Sequence, residues 1–584
     1  MQTNSLSLTM DPSRPELTLW DRRHNQRLLI APGFALFCPV VDGTPVRPRL
    51  VDTISRPDEV TFVFDAPPLV DFQVHVKCVG DRLEMSSSFG VTADCELNRL
   101  ELFPKGTALT FYDVVNFRNR HHTPNTWPEL NLGGEGFETD TFSGDWQFVP
   151  HPSLFILRKG DFQMFFGALD LPTSFGMYFK VEENRVDYWY LDYGPEGFGL
   201  PLKSGETFTS PRFCLFVDHD KTVYETLDRY SDLLIQEGLI PDPRDKVRHA
   251  WHTEPSYATW IDQGYKVTLN PDVESFFQLD EGMAREALSV IRRERLPFRL
   301  FYLDDAWQVT RGQWEPDPHR LPDLRKLVDE IHAEGMKVIV WWNWAELYDD
   351  VEVDPAQLIG GGQRNRHGMR MRDYSHPATQ EYLDALFHKL FSPDPGCYDL
   401  DGVKSDYQAD KVHPEMPVHD PNWRGEENYF FQVYKLFYGL MRRYKPDACH
   451  VGCAGHPFLA EFIDINRTYD VATSNPEEHL TRALMLRHTT PGCPVAFDFH
   501  NFLENLVLSL GHAFWFATPE NEWSELFFRF VPDWLAVKEK VALQGFHEGQ
   551  SSIYILEHIV VWLKPLAFWA CFSIMLVFTL LCVN

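Results

Sequence analysis

Carboxylate and tryptophan side chains recur in the second half of the chain, each at or near the carboxyl end of a predicted strand. Carboxylates accept hydrogen bonds from hydroxyl groups, and a flat indole ring packs against the apolar face of a sugar. The pattern therefore favours a carbohydrate site. Clustered carboxylates also suit Mg²⁺ or Mn²⁺, but no ligand pair stands out, so we expect no metal and no cofactor. In chain order the residues are Glu254, Asp304, Asp305, Trp342, Glu346, Asp406, Cys453, Asp470 and Asp498.

Asp406 and Asp470 follow the predicted fourth and sixth strands. A retaining glycosidase needs two carboxyl groups about 5–5.5 Å apart, one as nucleophile and one as acid/base. Lys404 lies two residues before Asp406 and hence on the same strand face, where its charge favours an ionised nucleophile. An aspartate at such a junction can also be a helix N-cap. For both residues together, in this order, we favour a catalytic pair.

Asp464 is the competing candidate for the acid/base, because an even number of residues separates it from Asp470. We prefer Asp470, since it lies at the carboxyl end of the strand, where a barrel places its chemistry. Arg467 would lower the pKa of a nearby acid, so we expect its side chain to point at substrate instead.

The elements that must position these residues alternate between apolar strands and helices. Seven such alternations follow the Pro-containing linker IPDPRDK at residues 240–246. They indicate a parallel sheet covered by helices, and the count favours a (β/α)₈ barrel over an open sheet. The predicted strands lie in HAWHTEPSY, FRLFYL, MKVIVWW, DGVKSD, ACHVGCA, INRTYD and PVAFDF.

The first 220 residues are typical of a large antiparallel β-sandwich. Apolar residues alternate with polar ones in DFQVHVKC, and turns separate paired apolar runs in LFILRKGDFQMFFGAL and MYFKVEENRVDYWYL. A helix over TVYETLDRYSDLLIQEGL leads to the linker. We expect a sandwich domain at 1–240, a catalytic barrel at 241–530 and a C-terminal segment at 531–584.

FYLDDAWQ, VKSDYQ and NRTYDV together resemble the melibiase clan, chiefly the α-galactosidases of glycoside hydrolase family 36. The resemblance covers roughly residues 20–515 and rests on Asp-Asp-x-Trp, Lys-x-Asp and Arg-x-x-Asp in this order. It implies a β-sandwich before a (β/α)₈ barrel, with Asp406 as nucleophile and Asp470 as acid/base. The residues assigned to substrate binding are Asp304, Asp305, Trp342, Glu346, Lys404, Cys453 and Arg467.

Two segments depart from that family. The strand end Lys404–Gln408 lacks the usual Trp and Asn-Arg, and the glycine-rich stretch after the fifth strand is reduced to Gly452–Pro457. Both segments line the sugar pocket in the family, so the resemblance does not determine which sugar this chain binds. The family's small β domain after the barrel is not recognisable in the apolar end of this chain.

Composition excludes several classes of protein. Lys and Arg total 54 against 84 Asp and Glu, a net charge of −30, which argues against a nucleic-acid partner. Ten cysteines are too sparse for a disulfide scaffold. Cys449, His450 and Cys453 lie in an apolar run that predicts a buried strand rather than a zinc site. The N-terminus has no basic start before an apolar stretch, so we expect a cytoplasmic location.

Leu566–Val583 is a run of 18 residues interrupted only by Ser573 and Thr579. Its length meets the lower limit for a membrane span, and Lys564-Pro565 precedes it. A tail anchor and an unrelated replacement of the natural last domain are equally good interpretations.

The sequence thus predicts a retaining, α-galactosidase-like hydrolase whose partner is an oligosaccharide or glycoside. One alternative is a transglycosidase of the raffinose-synthase kind, which uses the same aspartates but transfers the sugar to an acceptor hydroxyl. The other is a carbohydrate-binding protein without activity, held on a membrane by its tail.

Overall fold

Alternating side chains fold the first part of the chain into antiparallel strands. Phe72, Val74 and Val76 are fully buried, whereas Gln73 and His75 between them are partly exposed. The same period of two continues along most neighbouring strands, so each sheet buries one face in the core.

The computed structural model describes residues 1–516 apart from 12–15, 33–35, 105–107, 111–112, 116–128, 132–136, 139–153, 160–161, 183–184, 261, 264–277, 294, 297, 366–367, 407–411, 453–455, 468–485 and 497–513.

The strands of the N-terminal part are β1 (Leu6–Asp11), β2 (Glu16–Asp21), β3 (Gln26–Pro32), β4 (Cys38–Val41), β5 (Thr44–Pro45), β6 (Arg49–Arg56), β7 (Glu59–Ala66), β8 (Leu69–Val79), β9 (Arg82–Val91), β10 (Cys95–Phe103), β11 (Ala108–Thr110), β12 (Asp113–Val115), β13 (Glu129–Asn131), β14 (Phe137–Glu138), β15 (Leu154–Lys159), β16 (Phe162–Ala168), β17 (Gly176–Glu182), β18 (Arg185–Asp192), β19 (Leu200–Leu202), β20 (Thr207–Thr209) and β21 (Phe213–His219). In the described chain they form two antiparallel sheets. One runs β1-β2-β3-β11-β18-β10-β4-β5, with β14, β17 and β19 attached. The other runs β13-β12-β15-β16-β21-β9-β8-β7-β6, with β20 attached.

Helix α1 (Val223–Gln236) joins the sandwich to the second part of the chain. Thr222 caps its N-terminus in a capping box with Glu225, which satisfies backbone N–H groups that the helix cannot. Tyr230 of α1 packs against Phe165 of the sandwich, with ring centroids 4.7 Å apart. Its hydroxyl donates to the Ala168 carbonyl at 2.5 Å. A continuous apolar cluster therefore runs from the second sheet through α1 to the strands that follow.

The second part is a parallel sheet with helices between its strands. Its elements are β22 (Pro255–Ala258), α2 (Glu281–Arg293), β23 (Leu300–Leu303), the hairpin β24 (Gln308–Thr310) and β25 (Gln313–Pro316), α3 (Leu324–Ala333), β26 (Lys337–Asn343), α4 (Pro377–Phe391), β27 (Gly402–Asp406), α5 (Glu426–Tyr444), β28 (Cys449–Gly452), β29 (Ile465–Arg467), β30 (Val495–Ala496) and β31 (Phe514–Phe516). Short 3₁₀ helices cover Pro243–Asp245, Ala250–Thr253, Pro355–Gln357, Ile359–Gly361, Pro421–Trp423 and Pro457–Phe462.

The strand order of this sheet is that of a (β/α)₈ barrel. Eight parallel strands in the described residues pair in the order β30-β29-β28-β27-β26-β23-β22-β31, so the last strand along the chain lies beside the first. The predicted sandwich followed by a barrel is confirmed. The predicted positions of strands two to seven agree with β23 and β26–β30, whereas the sequence analysis missed β31. The domain limits at 240 and 530 stay predictions.

The structure corrects the predicted position of Glu254. The sequence placed it after the first strand, but HAWHT forms a 3₁₀ turn and Glu254 follows that turn, before β22 begins at Pro255. It therefore lies at the amino end of the barrel strand. Thr259 follows the carboxyl end instead, where its hydroxyl accepts a hydrogen bond from the Asp304 backbone N–H at 3.0 Å.

No helix among the described residues has the length and apolar character needed to cross a bilayer. The run Leu566–Val583 lies outside the described residues.

Candidate active site

Three neighbouring strands bring the charged residues together at their carboxyl ends. In the parallel register, Trp341 of β26 pairs with Lys404 of β27, and Asn343 pairs with Asp406. Because side chains alternate along a strand, these four residues face the same side of the sheet. Asp304 follows β23, the neighbour of β26 on its other edge.

The Asp406 carboxylate is held from both of its oxygens. The Trp341 indole N–H donates to Oδ2 at 2.7 Å, and the Arg467 guanidinium donates to Oδ1 at 3.2 Å. Burial raises the pKa of Asp406, but the charges of Arg467 and Lys404 outweigh it and hold that pKa well below the usual value. Both cations therefore favour the ionised form of Asp406.

Asp406 is also the most accessible member of this group. Its side chain is 13% exposed, whereas those of Arg467, Lys404 and Asp304 are 1%, 4% and 2% exposed. The surrounding groups thus fix the carboxylate in place and leave it a path to a bound molecule.

Lys404 and Asp304 form a buried ion pair beside Asp406, with Nζ 2.8 Å from Oδ2. Burial raises the pKa of Asp304, Lys404 opposes this shift, and the negative charge of Asp406 adds to it. Lys404 therefore acts on two carboxylates at once. Its effect on Asp406 is the one that the two-residue spacing predicted.

A second ion-pair network lies on the same side of the barrel mouth. Arg311 donates to Asp305 Oδ2 at 2.6 Å and also pairs with Glu346. Its guanidinium lies 5.1 Å from the centre of the Trp341 ring, which links the two networks. Burial raises the pKa of Glu346, while Arg311 lowers it. Glu346 and Asp305 thus share one cation.

Arg311 was missed by the sequence analysis. It lies in the turn of the β24–β25 hairpin, four residues after Trp307, and no local pattern marks a hairpin arginine as part of a site. The available signal was a basic residue only six positions after Asp305 in the sequence.

The structure also corrects the role predicted for Trp342. It was assigned to substrate binding, but its side chain is fully buried and stacks on Trp314 with ring centroids 4.4 Å apart. It also meets Phe387 of α4 and Phe437 of α5, so it faces the helices. The neighbouring Trp341 faces the site. Both tryptophans are apolar, so composition alone did not distinguish the two faces of β26.

Arg467 was expected to point at substrate, but its guanidinium binds Asp406 and approaches the Ser405 carbonyl at 3.3 Å. Ser405 faces the other way along β27, and its hydroxyl lies 2.7 Å from His450 Nε2. His450 Nδ1 lies 2.7 Å from the Phe462 carbonyl, which fixes that nitrogen as the donor. This buried pair supports the strand end behind Asp406.

Asp464 belongs to a structural ion-pair cluster at the amino ends of the strands. Lys246 and Arg442 lie 3.1 and 3.0 Å from its carboxylate, and the His450 backbone N–H donates to it at 2.9 Å. Burial raises the pKa of Asp464, but the two cations lower it below its usual value. An acid/base must hold a proton near neutrality, so Asp464 does not fit that role.

Three residues singled out in the sequence, Cys453, Asp470 and Asp498, lie outside the described residues. The structure therefore brings together Asp304, Asp305, Glu346, Lys404, Asp406 and Arg467 from the predicted set and adds Trp341 and Arg311. Each carboxylate of this group faces a cation of the chain itself. A carboxylate held beside buried cations stays anionic, and an anionic oxygen is able to attack an electrophilic carbon.

Two family profiles match different parts of the chain. Residues 273–450 match the TIM-barrel domain of glycosyl hydrolases family 31. Residues 483–584 match a family of unknown function, DUF6785.

Two curated relatives have similar sequences. An A type blood alpha-D-galactosamine galactosaminidase of Flavonifractor plautii is 24% identical over 303 residues, which are 48% of this chain and 25% of that protein. A bifunctional alpha-galactosidase/sucrose kinase of Mediterraneibacter gnavus is 23% identical over 368 residues, which are 59% of this chain and 35% of that protein. The chain thus spans about a quarter to a third of the length of these relatives.

Solved structures share the fold across most of the chain. The galactosidase domain of the alpha-galactosidase-sucrose kinase AgaSK has a TM-score of 0.56 at 13% identity, over 92% of this chain and 86% of that one. The family 36 α-galactosidase AgaB of Geobacillus stearothermophilus has a TM-score of 0.54 at 12% identity, over 91% and 86%. These comparisons confirm the resemblance to melibiase-like glycoside hydrolases and the sandwich-and-barrel fold.

Proposed function

We propose that this chain is a retaining glycoside hydrolase that cleaves terminal α-linked sugars through a covalent glycosyl-aspartate intermediate on Asp406. The observation that carries the proposal is the way that carboxylate is held. Trp341 and Arg467 donate hydrogen bonds to its two oxygens, and its side chain is more exposed than that of Arg467. The nearby cations keep its pKa low.

In the first step, an Asp406 oxygen forms a bond to the anomeric carbon, and the bond to the leaving oxygen breaks. The leaving oxygen takes a proton from the acid/base, for which we propose Asp470. In the second step, the Asp470 carboxylate removes a proton from water, the water oxygen attacks the anomeric carbon, and Asp406 is released. Asp470 follows Arg467 by three residues, a reach of about 11 Å at most, and Arg467 binds Asp406.

The remaining charged groups suit substrate binding. We propose that Asp304 and Asp305 accept hydrogen bonds from the sugar, since each is oriented by a cation, Lys404 or Arg311. A carboxylate fixed in this way accepts a hydroxyl hydrogen bond without having to be reoriented. We propose that Lys404 also contacts the sugar, whereas Arg467 acts through Asp406, which it binds.

The names of the relatives guide the choice of substrates. One is a galactosaminidase and another an alpha-galactosidase, and one solved relative is described in complex with stachyose. We propose galactose or galactosamine as the terminal sugar and an oligosaccharide as the natural partner.

The deciding experiment measures phenol release by purified protein from aryl α-galactosides, α-galactosaminides and α-glucosides, with the matching β-glycosides as controls. We expect turnover of one α-glycoside, and less than about a tenth of it in Asp406→Ala, given the share of the barrier that a nucleophile carries. Azide should restore the variant and give a β-configured glycosyl azide, because azide occupies the space of the missing carboxylate. Asp329→Ala, on the exposed surface of α3, is the matched control.

Several outcomes would contradict the proposal. More than about a tenth of the wild-type turnover in Asp406→Ala excludes this residue as the nucleophile. Sugar binding without turnover by the wild type identifies an inactive binding protein. Transfer to an added sugar acceptor in preference to water would instead assign the same aspartates to a transglycosidase.

A further inference from the structure

Two histidines and one aspartate meet in the sandwich, on the N-terminal part of the chain and away from the barrel strands. Asp21 ends β2, His24 lies in the turn before β3, and His219 ends β21. His24 Nδ1 lies 2.6 Å from Asp21 Oδ2, and His219 Nε2 lies 2.8 Å from Asp21 Oδ1. One ligand atom from each residue lies within 4.8 Å of the other two.

We propose that Asp21, His24 and His219 form a binding site for a divalent transition metal ion, and that this ion is Zn²⁺. This site goes beyond the proposed glycosidase activity and is independent of it. Two imidazole nitrogens and one carboxylate oxygen are the donors of three-ligand zinc sites, which leave a fourth position to water. Ca²⁺ and Mg²⁺ take oxygen ligands and do not suit this set.

The burial of the three side chains suits a site that is rigid but open to one side. The Asp21 side chain is fully buried, that of His219 is 11% exposed and that of His24 is 31% exposed. The backbone N–H groups of Arg23 and His24 donate to Asp21 at 3.2 and 3.1 Å, which fixes the carboxylate. The metal would enter from the His24 side, and water would complete its coordination there.

The position of the site in the fold indicates which part of the chain a bound metal would stabilise. β2 belongs to one sheet of the sandwich and β21 to the other. Hydrogen bonds of the ladders hold each sheet separately, so a metal bound to Asp21 and His219 would join the two sheets directly. Three residues after His219, Thr222 caps the N-terminus of α1, the helix that packs the sandwich against the barrel. The metal would therefore stabilise the end of the sandwich that supports this helix.

The spacing of the ligands explains why sequence analysis predicted no metal. Asp21 and His24 are three residues apart, but His219 is 195 residues beyond His24. No short motif contains all three, and only the packing of the sheets brings them together.

The test uses the full chain, freed of metal by a chelator and then titrated with Zn²⁺ and, as a spectroscopic reporter, with Co²⁺. We expect Zn²⁺ to raise the Tm in proportion to its occupancy, and Co²⁺ to give the visible absorption of a tetrahedral site. In hydrogen exchange, Zn²⁺ should slow exchange at the β2–β3 turn and at the end of β21.

His24→Gln is the deciding variant, because its side chain is partly exposed and its loss leaves the core intact. We expect it to bind Zn²⁺ at least about tenfold more weakly, since even partners behind a metal ligand contribute that much. Asp21→Asn should abolish binding, but Asp21 is fully buried and this variant can fail to fold. His75→Gln, on the same domain and bound to Thr61, is the matched control and should bind as the wild type does.

Two results would overturn the proposal. One is a wild-type protein that shows neither the cobalt spectrum nor the rise in Tm. The other is metal binding that His24→Gln leaves unchanged, because the metal would then occupy other side chains. Glycosidase activity, whether present or absent, affects neither result.

Discussion

At the scale of single residues, the site is defined by how Asp406 is held. Its two oxygens accept hydrogen bonds from an indole and a guanidinium, and Lys404 adds a second positive charge nearby. Hydrogen bonds to an ionised group are stronger than neutral ones, so each partner fixes both the position and the charge of the carboxylate. Trp341 donates one of these hydrogen bonds, whereas its neighbour in the sequence, Trp342, packs against the helices.

Trp341→Phe should slow turnover by about 10- to 100-fold, because a hydrogen bond to a charged group contributes about 1.5–3 kcal/mol. The phenyl ring keeps most of the packing under Arg311. Trp342→Phe is the paired control, and we expect it to lower the Tm while kcat stays near the wild-type value. Steady-state rates and thermal unfolding of both variants are the measurements. Equal losses of rate in Trp341→Phe and Trp342→Phe would refute the conclusion that only the first of these side chains faces the site.

Arg467→Gln should move the acidic limb of the kcat/KM profile to higher pH. The guanidinium favours the carboxylate form, so its removal raises the pKa of Asp406, and the nucleophile must be ionised to react. The pH dependence is measured with an aryl glycoside, and Arg443→Gln on the exposed surface of α5 serves as the reference. An acidic limb at the wild-type pH would show that Arg467 does not set the ionisation of Asp406.

At the scale of elements, parallel strands separate two kinds of aspartate. Asp406 lies at the carboxyl end of β27 and takes part in the site, whereas Asp464, just before β29, lies in an ion-pair cluster at the amino ends. Residues at the amino ends of barrel strands serve stability rather than chemistry. The same cluster fixes His450, which in turn binds Ser405 behind Asp406.

Asp470→Ala and Asp464→Asn should therefore fail in different ways. Asp470→Ala should slow glycosides with poor leaving groups far more than activated aryl glycosides, because only the former need a proton. Asp464→Asn should leave that ratio unchanged and lower the free energy of unfolding by about 3–5 kcal/mol, since it removes the buried anionic partner of two cations. A selective leaving-group effect in Asp464→Asn would reverse the assignment.

The stability loss in Asp464→Asn should depend on pH in a defined direction. The pKa of Asp464 is lower in the folded protein than in the unfolded chain, so its contribution is complete above about pH 4 and is lost as the pH falls further. Unfolding by denaturant at pH 7 and pH 3 measures this. The two proteins should differ less at pH 3.

At the scale of the whole molecule, two sheets and a barrel are connected through α1 and through the start of α5. Gly425, at φ +95°, precedes α5, and a side chain there would lie 2.4 Å from the Thr173 backbone. The Glu426 backbone N–H donates to the Ser174 carbonyl at 2.9 Å across the same contact. The sandwich thus supports the loop that follows the strand of Asp406.

The tail belongs to this scale too, and a membrane anchor at Leu566–Val583 and an unrelated end both stay predictions. If the run is an anchor, the full chain should sediment with membranes and resist carbonate extraction, while a chain ended near residue 550 should not. At about 1.5 Å per residue the run reaches about 27 Å, close to the minimum for a span. If both forms remain in the supernatant, the run is not an anchor.

The sequence by itself determined the properties that depend on local spacing. Apolar segments located β23 and β26–β30, and their order determined the fold class. The two-residue spacing of Lys404 and Asp406 placed both charges on one side of a strand, because alternation is a property of the backbone. The ordered motifs on successive strands sufficed for the resemblance to glycoside hydrolases.

Only the tertiary structure decided which groups meet across elements. A strand buried on both faces shows no alternation, so the register with β27 was needed to tell Trp341 from Trp342. Arg311 reaches Asp305 and Glu346 from a hairpin, and His219 meets Asp21 from another sheet. Such contacts depend on long-range packing, which no local pattern in the chain encodes.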